Sequence, residues 1–200
     1  VGQLLAGPFT GTILGYFGAE IIKVEPPEVG DPIRGWREVR DGTSLWWASL
    51  SRNKKCITLD LKTPKGQEVL KKLANTADVF VENFRPGTME KWGIGPDTFK
   101  EENPGLIYAR ISGYGQTGPA ASKAGFASVC EAFGGFRYVN GFPGEVPVRP
   151  NISIGDTLAG IHAALGVLLA YIGRQKSGQG QVVDVAIFEG LFNLLEAVIP

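Results

Sequence analysis

Lys55-Cys-Ile-Thr-Leu-Asp-Leu61, then Thr63-Pro64 opening the run from Lys65 to Ala77, then Asp78-Val-Phe-Val-Glu-Asn-Phe84: residues 55–84 decide the fold. The two outer pieces are short, apolar and partly β-branched, which suits strands. Between them, Thr63 followed by Pro64 is a helix-start signal, because proline tolerates the first helical turn and threonine caps it. A strand, a helix of ten or so residues and a second strand make a βαβ unit, and its two strands run parallel.

The pattern repeats on both sides. Leu4 to Ala19 reads as a glycine- and alanine-rich helix, and Glu20-Ile-Ile-Lys-Val-Glu25 as a strand closed by Pro26-Pro27. After residue 84, Arg85-Pro86-Gly87 turns into a short helix ending near Gly93. Pro96 to Glu102 gives a further helical turn, and Leu106-Ile-Tyr-Ala-Arg-Ile-Ser112 is another strand. The stretch from Gly113 to Asn151 is irregular and rich in glycine and proline, the kind of connection that carries function. A long helix after Asp156, a stop at Lys176-Ser-Gly-Gln-Gly180 and the strand Gln181 to Ile187 complete the chain. The expected class is α/β: a Rossmann-like parallel sheet with flanking helices.

Composition narrows the function. Of 200 residues, 44% are hydrophobic, enough to build one sizeable core. Twenty basic residues balance twenty acidic ones, so no global charge recruits nucleic acid or an anionic membrane. Cys56 and Cys130 lie apart with no CxxC spacing, which argues against a disulfide framework or zinc site and fits a reducing compartment. One histidine gives metal chemistry little to work with, and no metal site is expected. The apolar segment Leu158 to Ile172 is shorter than the roughly 20 residues a bilayer needs, so it reads as a core helix. Within it Leu158, Ile161, Leu165, Leu168 and Ile172 recur at helical steps, the expected buried stripe, and His162 reads as a satisfied core residue.

Gly7, Gly11, Gly15 and Gly18, followed by a strand ending in Glu25, suggest a dinucleotide site, but the steps of four, four and three contain no GxGxxG. Glycines so spaced share one helix face and allow close packing on a sheet. The carboxylate in Ile152-Ser-Ile-Gly-Asp156 stands where the long helix begins, and its bland reading is an N-cap.

Several ordered motifs give that carboxylate a second reading. They are Leu5-Ala-Gly-Pro8, Gly18-Ala-Glu-Ile-Ile-Lys-Val-Glu-Pro-Pro27, Gly30-Asp31, Asn53-Lys-Lys55, Leu59-Asp-Leu-Lys62, Val81-Glu-Asn-Phe-Arg-Pro-Gly87, Gly113-Tyr-Gly-Gln-Thr-Gly-Pro119, Gly155-Asp156 and Gly178-Gln-Gly180. From end to end the chain resembles the class III CoA-transferases, the family of formyl-CoA transferase and carnitine CoA-transferase. The resemblance implies that residues 1–200 are the N-terminal, CoA-binding Rossmann-like domain of a chain about twice as long, in which two chains interlock as a homodimer.

By that resemblance Asp156 is the catalytic nucleophile, passing CoA from an acyl-CoA donor to a small carboxylic or dicarboxylic acid. The intermediates are an aspartyl anhydride and an aspartyl-CoA thioester. A helix N-terminus favours the ionised carboxylate, Gly155 lets the thioester approach, and a carboxylate needs no base to activate it. CoA and acyl-CoA are substrates, and no cofactor is permanently bound. Leu5 and Ala6 would border the thiol end of CoA, and Leu59 to Lys62 the nucleotide. Asn83, Phe84 and Arg85 would line the pantetheine and phosphate path, with Lys91 one helix turn beyond and Lys123 on a phosphate. The implied location is the cytoplasm, or the mitochondrial or peroxisomal matrix in a eukaryote.

Four positions depart from the family's pattern. Pro26 replaces an arginine beside the adenine, Gln3 replaces another arginine, and Phe126-Ala127 replace a Tyr-Asp pair. The rival readings are an α-methylacyl-CoA racemase, in which a histidine stands where this chain has Phe126, and a non-catalytic CoA-binding subunit. Phenylalanine moves no proton, and the Gly-Asp at 155–156 is intact.

Overall fold

The computed structural model describes residues 1–198. Helix α1 (Ala6–Tyr16) leads into strand β1 (Ile21–Glu25). Then comes a small antiparallel hairpin, β2 (Val39–Arg40) and β3 (Thr43–Ser44), and helix α2 (Leu45–Leu50). Ser44 caps α2, its Oγ accepting from the amides of Trp46 and Trp47, both at 3.2 Å. Strand β4 (Lys54–Thr58) and helix α3 (Pro64–Ala74) follow, with Thr63 Oγ1 accepting from Gly66 N at 3.2 Å and Pro64 in the first turn. The capping signal read from Thr63-Pro64 is thus the one used.

Strand β5 (Val79–Glu82), the short helix α4 (Thr88–Lys91), strand β6 (Ile107–Ser112) and helix α5 (Ala127–Phe133) come next. Helix α6 (Ile154–Ser177), strand β7 (Val182–Ala186) and helix α7 (Ile187–Phe192) end the described elements. Gly178 stops α6 in the left-handed conformation, φ 72°, donating to Arg174 O at 2.8 Å.

Apart from that hairpin the strands are parallel, as expected, but they form two sheets. β1 pairs with β4, Val24 opposite Ile57. β6 lies between β5 and β7, Ala109 opposite both Val81 and Val183. Every residue of β6 is buried, which is why that strand reads as an unbroken apolar run with Arg110 as its one charge. Arg110 is held by Glu82 at 2.8 Å and Glu90 at 2.6 Å. Between β1 and β5 lies a cavity of about 530 Å³ lined by Gly7, Gly11, Lys23, Lys54 and Phe80 among others, and each strand turns an edge without a partner among the described residues towards it. Burial there lowers the Lys54 ammonium pKa to about 8.

The glycines of α1 act as their spacing implies. A methyl group on Gly11 or Gly15 would stand 3.3 Å or 3.1 Å from the Ile21 side chain, so α1 packs on β1 at glycine distance.

Helix α6 corrects a sequence expectation. Its buried face is Gly155, Ala159, Gly160, Ala163, Ala164, Val167 and Ala170, not the large apolar stripe. Ile161, Leu165, Leu168 and Ile172 are 47%, 54%, 51% and 59% exposed. Small residues win because α6 lies tight against α1: a Cβ on Gly160 would meet the Phe9 ring at 2.9 Å. At 24 residues α6 is long and apolar enough to cross a membrane, although its small-residue face is packed inside the molecule. His162 is half-buried, with Nδ1 against Leu158 O at 2.8 Å.

Candidate active site

In a parallel α/β sheet ligands gather beyond the carboxyl ends of the strands. Asp156 belongs to that edge through α6, whose first turn packs against α5 and α7. A Cβ on Gly155 would stand 3.1 Å from Ile187 Cγ2, 3.1 Å from Leu191 Cδ1 and 3.2 Å from Ala127 Cβ. Gly155 therefore packs at glycine distance against α5 and α7.

Asp156 is the third residue of α6, and the N-cap position is Ser153, whose side chain makes no capping bond. The capping reading therefore fails. The Asp156 carboxylate has no hydrogen-bond partner among the described residues, and it is half-buried. Desolvation raises its pKa from 3.8 to about 6, the negative charge of Glu131 adds to the rise, and Arg149 opposes it. It remains largely ionised at neutral pH but is more basic than a solvated aspartate, hence a better nucleophile.

Glu131 carried no signal in the sequence. It sits on α5, fully buried, with Oε2 3.5 Å from Arg137 and 3.4 Å from Arg149. Its Oε1 has no partner among the described residues. Arg137 is anchored on Ser128 Oγ at 2.5 Å. Cys130, one residue earlier, is a free buried thiol donating to Gly113 O at 3.3 Å, and burial pushes it up to about 12, which makes it inert. Phe126, at the head of α5, is 64% exposed.

Beside the first turn of α6 a second cavity of about 290 Å³ is lined by Leu5, Arg37, Trp46, Ile152, Ser153 and Thr157, with Phe9, Ser49 and Leu50. Asp156 is on the same helical turn as Ser153 and Thr157. The larger cavity between β1 and β5 lies away from Asp156, so the smaller one is the better match to its chemistry.

The other expected residues fall into three groups. Leu5 lines the small cavity and packs with Ile33 and Leu50, while Ala6, which begins α1, is buried against α6. Lys62, Arg85, Lys91 and Lys123 are exposed. Lys62 follows β4, Arg85 and Lys91 follow β5, and Lys123 follows β6, all on the carboxyl side of their strands. Leu59 is half-buried, its amide donating to Glu25 O at 2.9 Å. Phe84 is half-buried and meets Trp92 edge-on at 5.3 Å. Asn83 is engaged differently: its amide bonds Gln3 in both directions, Nδ2 to O at 2.9 Å and Oδ1 from N at 3.0 Å. It ties the segment before α1 to the end of β5.

A sequence profile described as CoA-transferase family III matches residues 1–200. A Chloroflexus aurantiacus protein named succinyl-CoA--D-citramalate CoA-transferase is 56% identical over all of this chain, which covers 50% of that relative. The alpha subunit of a succinyl-CoA--L-malate CoA-transferase from Chloroflexus aurantiacus is 45% identical, again over all of this chain and 47% of the relative. The crystal structure of a CAIB/BAIF family protein from Brucella suis superposes with a TM-score of 0.93 at 34% identity, over 98% of this chain and 53% of that one. The chain spans about half the length of the curated relatives it matches.

Proposed function

Because this chain belongs to CoA-transferase family III, we propose that it is the CoA-binding N-terminal domain of an enzyme moving CoA from an acyl-CoA to a small carboxylic acid, with Asp156 as nucleophile. The names of its relatives support succinyl-CoA as donor and a dicarboxylic acid as acceptor. The observation that carries the reading is Asp156: a carboxylate on the first turn of a long helix, desolvated, without a hydrogen-bond partner among the described residues, on a turn whose Ser153 and Thr157 line a small cavity.

The Asp156 carboxylate attacks the donor thioester carbonyl; the C–S bond breaks, leaving an acyl-aspartyl anhydride and CoA thiolate. The thiolate attacks the Asp156 carbonyl, expelling the donor acid as its carboxylate and leaving CoA on Asp156 as a thioester. The acceptor carboxylate displaces this thiolate to form a second anhydride. The thiolate then attacks the acceptor's carbonyl, giving the new acyl-CoA and restoring Asp156. No net proton moves, so no acid–base partner is required, and the helix N-terminus favours negative charge at each step.

The basic residues beyond β4, β5 and β6 suit the CoA phosphates, and Leu5 its thiol end. CoA enters and leaves as substrate. The apolar face of α6 supports a homodimer of the whole protein, and the two free cysteines suit a reducing cytoplasm or organelle matrix. The test is hydroxylamine trapping. The whole protein, incubated with an acyl-CoA and then hydroxylamine, should carry a hydroxamate on the peptide containing Asp156. A 2-methylacyl-CoA that exchanges its α-proton for deuterium while no adduct forms would replace the transferase with a racemase.

A further inference from the structure

Two tryptophans of α2 each carry an arginine. Arg34 lies 3.6 Å from the Trp47 ring centroid and Arg37 4.2 Å from that of Trp46. Their electrostatic situations differ. Arg34 is closed by Glu25, Nε and Nη2 donating at 2.8 Å and 2.9 Å, an ion pair that draws the Glu25 pKa down to about 2 despite its burial. Arg37 has no ion pair and no side-chain hydrogen bond among the described residues. It is also the one charged residue lining the 290 Å³ cavity, whose other walls are neutral and mostly apolar. Its backbone is left-handed, φ 58°, uncommon for a residue with a side chain and the sort of strain that tends to collect at functional sites.

A guanidinium stacked on an aromatic ring keeps its N–H edge free, and that edge matches a carboxylate with two parallel hydrogen bonds. The cavity is too small for CoA, near the bottom of the ~300–1,000 Å³ range of small-molecule sites. Ser153 and Thr157 border it from the turn that carries Asp156. Asp156 is not itself a wall residue, but it lies between two that are, so the cavity is the nearest described space for the rest of an acid joined to it through one carboxylate.

We propose that Arg37 binds the second carboxylate of a dicarboxylic substrate whose first carboxylate reacts at Asp156, so that the cavity selects short-chain dicarboxylates over monocarboxylates. This rests on the nucleophile reading of Asp156 and adds to it the group that sets the acid's class. The uncompensated charge on Arg37 is matched only by an acid that keeps one negative charge after the other carboxylate has become acyl. Arg37 is exposed, so with a monocarboxylate its guanidinium stays with water and the charge-assisted pair that a second carboxylate supplies is not formed.

The whole protein should be compared with Arg37→Gln, Arg37→Lys and Arg149→Gln, using succinyl-CoA as donor and glutarate or valerate as acceptor. Arg37→Gln should lower the glutarate-to-valerate ratio of kcat/KM at least tenfold, the scale for losing a charge-assisted pair. Arg37→Lys should recover part of it, since the charge returns without the fork. A ratio within twofold of the parent in Arg37→Gln, or a fall in Arg149→Gln alone, overturns the assignment. Hydroxylamine trapping on the parent separates the two ideas: an adduct on Asp156 with an unmoved ratio removes Arg37 only, and no adduct removes the nucleophile reading.

Discussion

Replacing Asp156 with asparagine should abolish turnover and at the same time make the protein more stable at neutral pH. The carboxylate's pKa is raised from 3.8 to about 6 in the fold. A raised acid holds its proton more tightly folded than unfolded, so stability falls as pH climbs from the unfolded value to the folded one. The penalty is absent below about pH 4 and complete above about pH 6. At about 1.4 kcal/mol per pKa unit, a shift of about two units amounts to roughly 3 kcal/mol. The favourable field of the helix N-terminus, about 1 kcal/mol, is lost with the charge and offsets part of that gain. The net expectation is about 1–2 kcal/mol in favour of Asp156→Asn, or roughly 2–8 °C in Tm for a domain of this size. No cap is lost, because Ser153 occupies that position. Thermal unfolding of parent and variant at pH 7.5 and pH 4, with activity measured alongside, tests this. The stability gap should vanish at pH 4, and turnover at pH 7.5 should fall at least about a thousandfold. A variant less stable than the parent at pH 7.5 would mean that the carboxylate is structural after all. Near-normal transfer would refute the nucleophile.

Activity should decline on an acid limb near pH 6, where Asp156 takes up its proton, and Glu131→Gln should move that limb to lower pH by removing the charge that helps raise it; a pH–rate profile with an unmoved limb would refute the coupling. Gly155→Ala should cost about 1–3 kcal/mol by overpacking α6 against Ala127, Ile187 and Leu191, read as a lower denaturation midpoint, and reduce activity by displacing Asp156. The whole protein should scatter light as a dimer, and Leu165→Lys combined with Leu168→Lys should weaken that association; a monomeric parent would refute it.

The five parallel strands were legible in the sequence because each is a short run with apolar residues between turn signals, whereas the two-residue strands β2 and β3 are too short to show any pattern. β6 is the plainest such run, and the Thr63-Pro64 cap of α3 was equally readable. Helices α2, α5 and α7 escaped because six or seven residues give too few turns for a period to stand out. The α6 stripe misled for a different reason. Periodicity marks an apolar face without saying what covers it, and on this helix alanine and glycine carry the tight contacts. Asp156 was found through its motif and its helix. Glu131, Arg137, Arg149 and Arg37 were not, because a lone charge in an irregular stretch reads like any surface residue until folding buries it or sets it on a cavity wall.

The two faces of α6 connect stability to chemistry. The small-residue face fixes the helix against α1 and the sheet, and so fixes where its first turn presents Asp156. The large-residue face is left open over Ile161, Leu165, Leu168 and Ile172, an apolar area that a partner surface would cover. The first turn of α6 lies at one end of that face, so assembly that buries the helix also brings protein closer to the carboxylate. Further loss of water would push the Asp156 pKa higher still and shield the anhydride and thioester from hydrolysis, which a group-transfer enzyme needs and a solvated aspartate does not provide. Association and catalysis are then linked through one helix: weakening the apolar face should expose the intermediates to water, so that a Leu165→Lys, Leu168→Lys protein hydrolyses acyl-CoA faster relative to transfer than the parent does.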